Sequence, residues 1–102
     1  MKKILNAVEN IVPEMLEGMM LACPSLKVLP GTQVVVRKEK PSFEKVGIIS
    51  GGGSGHEPAH AGYVGTGMLD GACAGALFSS PSVDQMMEGI RAVDSGKGVL
   101  IV

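Results

Sequence analysis

Residues 48–60 read IISGGGSGHEPAH, an apolar run that passes through Gly51, Gly52, Gly53, Ser54 and Gly55 into His56, Glu57, Pro58, Ala59 and His60. Glycine lets a main chain come close to a bound group, and imidazole is the side chain that ordinarily titrates near neutral pH. The segment therefore shares its vocabulary with three chemistries: a phosphate cradle, a zinc site, and a cleft for some other small polar ligand. Each makes its own demand on spacing.

A nucleotide P-loop requires G-x-x-x-x-G-K-S/T, with lysine on the phosphates and a hydroxyl on magnesium. Here Gly55 is followed by His56 and Glu57, and a carboxylate beside phosphates repels them unless a cation intervenes. The dinucleotide pattern G-x-G-x-x-G fails too, because Gly51 and Gly53 lead to His56, and Gly65 and Gly67 lead to Asp70. Nucleotide binding by this stretch is not expected. The zinc reading matches letter for letter: HEPAH is H-E-x-x-H, which on a helix puts two imidazoles on one face with Glu57 as base. Asp70, Asp84 or Glu88 would have to supply the third ligand, and the helix would have to begin at the first one. The third reading is a polar cleft at the carboxyl end of a buried strand, where open α/β sheets form crevices. In it Gly51 to Gly55 let the backbone approach a ligand, His56 is the acid/base candidate, and Ser80 of the FSSPS segment hydrogen-bonds a hydroxylated ligand. His60 reads as a helix-face histidine with a satisfied hydrogen bond.

The elements that must position these residues follow from periodicity. Val12, Met15, Leu16, Met19 and Met20 recur at helical spacing, with Asn10 as cap, Pro13 in the first turn and Pro24 beyond the end. Pro30-Gly31 marks a turn before a strand at Val34 to Val36. KVGIIS, residues 45–50, suits a strand buried on both faces. Pro58 argues for a short helix starting near Gly55 or His56. MLDGACAGALF reads as a strand of small residues. Ser82 and Gln85 form a capping-box pattern before Val83, Met86, Met87, Ile90 and Val93, and Gly96 is the stop. GVLIV, 98–102, is a further buried strand. Alternating strands and helices predict an α/β fold, a mostly parallel sheet with flanking helices. Because the sequence stops in an apolar strand, we expect residues 1–102 to be the N-terminal part of a longer chain, truncated after Val102.

Composition excludes several classes. Nine Lys and Arg balance ten Asp and Glu for a net charge of −1, and three residues are aromatic. No basic block interleaves with aromatics, so nucleic acid is not an expected partner. The apolar runs are too short for a membrane span. Asn6, Glu9 and Asn10 interrupt the run a secretion signal would need. Cys23 and Cys73 lack metal-ligand spacing and read as free thiols of a reducing compartment, with the cytoplasm as location.

SGGGSGHEPAHAGYVGTGML, together with FSSPS and MKKILNAVENIVPEMLEGM, resembles the dihydroxyacetone kinase family, in the N-terminal part of its dihydroxyacetone-binding subunit or domain. The resemblance runs over essentially the whole chain. It implies transfer of a phosphoryl group from a nucleotide to a terminal hydroxyl of dihydroxyacetone, with the ketone held as a hemiaminal on a histidine far downstream. By the family's pattern Gly53 makes a backbone contact to the substrate with Ser80 beside it, and His56 hydrogen-bonds the substrate and helps activate its hydroxyl. An aspartate sharing that role would fall just past Val102. The resemblance gives this chain no cofactor or metal of its own. It puts the nucleotide and its magnesium on a separate helical subunit or domain, donated to directly by ATP or recharged by a sugar phosphotransferase system. It further implies a homodimer. Two departures stand out: Ala76 occupies a position usually acidic, and Ser79 one usually small or threonine-like. Two alternatives remain, a non-enzymatic ketone-sensing relative and a zinc hydrolase using His56, Glu57 and His60. On the kinase reading the 102 residues alone would be inactive.

Overall fold

The computed structural model describes residues 2–102. Helices α1 (Ile11–Ala22) and α2 (Val83–Val93) flank five strands, β1 (Leu26–Val28), β2 (Val34–Arg37), β3 (Gly47–Ser54), β4 (Gly71–Leu77) and β5 (Val99–Ile101), with 3-10 turns at Val8–Asn10 and Ala61–Tyr63. The sheet order is β1-β2-β4-β3-β5. β3 runs parallel to β4, with Gly51 opposite Cys73, and parallel to β5, with Ile49 opposite Ile101. β2 is antiparallel to both its neighbours, Val35 lying opposite Val28 and Ala72. The α/β class with flanking helices is as expected, but the sheet is mixed rather than mostly parallel. The short Leu29–Gln33 connection leaves β1 and β2 no geometry other than a hairpin, since a parallel crossover needs a dozen residues or more.

Strand alternation divides the core in two. Val35, Ala72 and Ala74 face α1 and pack with Val12, Leu16 and the thioethers of Met15, Met19 and Met20. Val34, Val36, Ile49 and Cys73 face α2 and meet Met86, Ile90 and Val93. Those two faces give three layers: helix, sheet, helix. Gly89 lets α2 lie flat on the sheet, because a Cβ there would come within 2.6 Å of Ile49 Cδ1 and 2.8 Å of Cys73 Sγ.

Several local expectations are corrected. Asn10 makes no side-chain cap; the 3-10 turn before α1 occupies that place instead, with Asn10 N–H donating to Ala7 O at 2.8 Å. Ser82 does cap α2, its Oγ accepting from Gln85 N–H at 3.3 Å. The reciprocal half of the box is absent, because Gln85 Oε1 accepts from Gln33 N–H at 2.8 Å and ties α2 to the sheet. Residues 56–63 form no α-helix. Glu57 turns back to accept from Gly55 N–H at 3.0 Å, and Gly55 has φ +123°, which is open to glycine and strained for other residues. The chain then crosses the sheet end in tight turns.

Candidate functional site

The glycines are strand, not loop. β3 continues through Gly51, Gly52 and Gly53 to Ser54 because β4 pairs with it that far. Each of the three uses its missing side chain differently. A Cβ on Gly51 would lie 2.9 Å from Met86 Sδ; on Gly52, 3.2 Å from His60 Nε2 and 4.0 Å from His56 Nε2; on Gly53, 2.6 Å from Ser79 N. Gly51 and Gly53 thus point to the α2 side, where the 78–82 loop presses on the strand. Gly52 points to the opposite side and forms the floor beneath two imidazoles.

Main-chain direction alternates as well. Ile48 O accepts from Asp70 N–H on the β4 side, while Ile49 O accepts from Val102 N–H on the β5 side. Ser54 O again accepts from Phe78 N–H on the β4 side, so alternation persists past the register irregularity between Gly52 and Ser54 and turns the peptide groups of Gly51 and Gly53 towards β5, whose pairing reaches only Ile49. Gly53 N–H is therefore offered at an open strand edge. The two loops leave the sheet side by side: Phe78 N–H donates to Ser54 O at 2.7 Å, and Ser54 Oγ donates to Gly75 O at 2.8 Å. His56 and Ser80 are both exposed at this end, His56 above Gly52 and Ser80 in the loop against Gly53 and Gly75.

His56 and His60 stand edge to face, ring centroids 5.7 Å apart and planes at 89°. His60 Nδ1 lies 3.1 Å from Ser50 Oγ, a side chain 2% exposed. The H-E-x-x-H letters thus do bring both histidines together, but without the helix that zinc hydrolases use to aim them. Glu57 is held by the Gly55 N–H, and among the described residues no group of three or more His, Cys, Asp or Glu stands together as a metal site.

The Dak1 domain family matches residues 17–102. The chain belongs to that family. A curated relative, the dihydroxyacetone-binding subunit DhaK of PTS-dependent dihydroxyacetone kinase 1 from Listeria innocua, is 52% identical over all of this chain and 31% of its own length. Among solved structures, the dihydroxyacetone kinase from C. freundii with AMP-PNP and Mg2+ is 39% identical at TM-score 0.87, covering 98% of this chain and 19% of that one. The dihydroxyacetone kinase operon co-activator Dha-DhaQ is 49% identical at TM-score 0.81, covering 88% and 28%. The chain spans about three tenths of the length of the bacterial DhaK subunits it matches.

At the opposite end of this Dak1 domain sits a different polar cluster. Asp70 is buried between Arg37 Nη1 at 3.3 Å, the Lys45 ammonium and the Ile48 N–H at 2.9 Å. Burial pushes its pKa up, but the hydrogen bonds from Lys45, Ile48 and Arg37 outweigh that and hold it below the ordinary carboxylate range. A cavity of about 450 Å³ opens beside it, between residues 38–45 and the end of α2. Asp70 closes the start of β4 and stands apart from the two histidines. Among the described residues no helix is long and apolar enough to cross a membrane. The sequence does not single out Ser50, and outside the zinc alternative it gives His60 only a structural part. The signal that was available is the repeated imidazole four residues on, which a turn can gather as well as a helix.

Proposed function

We propose that residues 1–102 are the N-terminal part of the dihydroxyacetone-binding domain of a longer dihydroxyacetone kinase, which presents a terminal hydroxyl of the ketone to a nucleotide. The observation that carries this reading is the end of β3, where an outward Gly53 N–H and an exposed His56 imidazole above Gly52 meet at one open edge. A ketone of few atoms needs such close main-chain approach. Gly53 N–H donates to the ligand, Ser80 lies beside it, and His56 accepts the proton of the attacking hydroxyl. The oxygen then bonds to the terminal phosphorus of the nucleoside triphosphate as that phosphorus parts from the bridging oxygen, and the nucleoside diphosphate leaves. A hydroxyl is a weak nucleophile at neutral pH, and a positioned base contributes about 10²–10⁴-fold. Fixing the ketone against the incoming phosphorus adds an orientational term.

In this reading the nucleotide and its magnesium belong to a separate helical subunit or domain. The donor is ATP or a nucleotide recharged by a phosphotransferase system, and the protein is a cytoplasmic homodimer. The test uses the intact protein with its nucleotide-bearing partner. His56→Ala should lower phosphoryl transfer by about 10²–10⁴-fold, with an unchanged far-UV spectrum and unfolding midpoint. Undiminished transfer would remove the role given to His56.

The 49% identity to an operon co-activator favours a second reading, in which the same cleft senses the ketone without turning it over. Ketone-dependent consumption of nucleotide by the intact protein and its partner separates the two. Turnover supports the kinase; ketone binding without turnover supports the sensor.

A further inference from the structure

We propose that His60 is a second ligand contact in this cleft, a hydrogen-bond acceptor that selects for ketones carrying an additional hydroxyl. The inference rests on the small hydroxyketone reading above and deepens it.

The argument is a count of protons. Ser50 Oγ lies 2.9 Å from the main-chain oxygen of Val102 and 3.1 Å from His60 Nδ1. A hydroxyl has one hydrogen to donate and lone pairs to accept with. The Val102 oxygen can only accept, so the Ser50 hydrogen goes there. Towards His60, Ser50 is then left as an acceptor, and the Nδ1 atom must carry the hydrogen. In a neutral imidazole this leaves Nε2 bare. Ser50 is 2% exposed and paired on both sides, so water has little access to loosen the arrangement.

The bare nitrogen is placed where a ligand would want it. His60 Nε2 sits directly over Gly52, 3.2 Å from the point a Cβ would occupy, and it makes no hydrogen bond to any described residue. His56 Nε2 is 4.0 Å from the same point. Two nitrogens thus converge on one glycine, next to the Gly53 peptide group. The zinc pattern accounts for neither, since Nδ1 of one ring is spent on Ser50 and no helix aims the pair. A polyhydroxylated ketone accounts for both: one hydroxyl for His56, the other for His60. His60 is half-buried, and once a ligand covers it an acceptor left without a donor penalises a ligand lacking the second hydroxyl, which is how a hydrogen-bonding site discriminates.

The test compares dihydroxyacetone with hydroxyacetone, the ketone with one hydroxyl, as ligands of the intact protein in direct titrations. The parent should prefer dihydroxyacetone, and His60→Asn, which keeps a donor for Ser50 but has no atom at the Nε2 position, should reduce that preference about five- to tenfold, roughly one neutral hydrogen bond. His60→Gln, whose amide oxygen reaches the Nε2 position, should restore part of it. If the partner supports turnover, the Asn variant should raise KM more than it lowers kcat. Nitrogen-15 NMR of the unsubstituted protein reads the tautomer with no variant needed, and should find the His60 proton on Nδ1. A proton on Nε2, or an unaltered ligand preference in a folded Asn variant, overturns the proposal. If His56→Ala abolishes transfer while His60→Asn leaves the preference intact, only this inference fails. If His56→Ala leaves transfer intact, the functional reading beneath it fails.

Discussion

Adjacent glycines on opposite faces of β3 give a sharp test of the site's construction. Alanine at position 53 would place its methyl 2.6 Å from Ser79 N, 2.8 Å from Phe78 C and 3.0 Å from Phe78 Cα. All three are main-chain atoms of the neighbouring loop, so relief requires moving that loop and loosening the Phe78 N–H bond to Ser54 O. Overpacking costs about 1–3 kcal/mol, and three main-chain clashes put this site near the upper end; replacing a strand glycine returns about 0.5–1, which leaves a net loss of about 2 kcal/mol. Alanine at position 52 meets only the edge of the His60 ring, at 3.2 and 3.3 Å. The ring sits at the end of a side chain and can give by a few tenths of an ångström, so stability should change by less than about 0.5 kcal/mol. Its cost falls on the ligand, because the added methyl and the slightly shifted ring crowd the floor beneath His56. Thermal unfolding of the intact protein measures the first effect, expected at no more than about 2 °C per kcal/mol because the shift shrinks as the chain grows past about 250 residues. Titration with dihydroxyacetone measures the second. Gly52→Ala should bind several-fold more weakly with a near-parental midpoint, and Gly53→Ala should unfold earlier. Equal midpoints for the two variants would refute the alternation on which the site is drawn.

The helix glycines should behave in opposite ways: Gly18→Ala, with open space around it, should stabilise by about 0.5–1 kcal/mol, whereas Gly89→Ala should destabilise by about 1–2 kcal/mol through Ile49 and Cys73, read as shifts of the unfolding midpoint. Asp70→Asn should cost about 1.5–3 kcal/mol at neutral pH, the range for hydrogen bonds to a charged group. Because the folded carboxyl is held below its unfolded value of about 4, its contribution is present above that pH and fades as pH falls through the lowered value. Midpoints measured from pH 7 to 3 should therefore converge for parent and variant, and a constant gap would contradict the clamp. Burial pushes the Cys73 thiol up to about 11, while Cys23 is exposed. Iodoacetamide at pH 7.5 (about neutral, where a thiolate of that pKa is scarce) should label Cys23 in the native protein and reach Cys73 only after denaturation, as read by mass spectrometry.

What could be read from the sequence was local. Apolar spacing located α1 and α2, β-branched runs located β2 and the start of β3, and Ser82 marked the helix entry it does cap. Pro24 and Pro30 leave only a short segment around Leu26–Val28 and so hid β1, since three residues carry too little periodicity to declare a strand. The glycine run could not announce itself as strand, because glycine has no propensity for one. Only pairing with Gly71–Leu77, twenty residues further on, extends β3 that far. The same distance separates what the letters of the site allowed from what they became. H-E-x-x-H states that two imidazoles recur, and the family motif states which chemistry to expect of the first.

The sequence by itself determined the class of fold, the family and the identity of the groups at the end of β3, because these depend on residue type and near spacing. The tertiary structure decided which way those groups face. Strand pairing set the outward turn of Gly53 and the upward face of Gly52, and the Ser50 hydroxyl, held by Val102 from 52 residues away, determined which nitrogen of His60 is free. Proton placement depends on partners distant in the chain, so no reading of neighbouring letters could supply it.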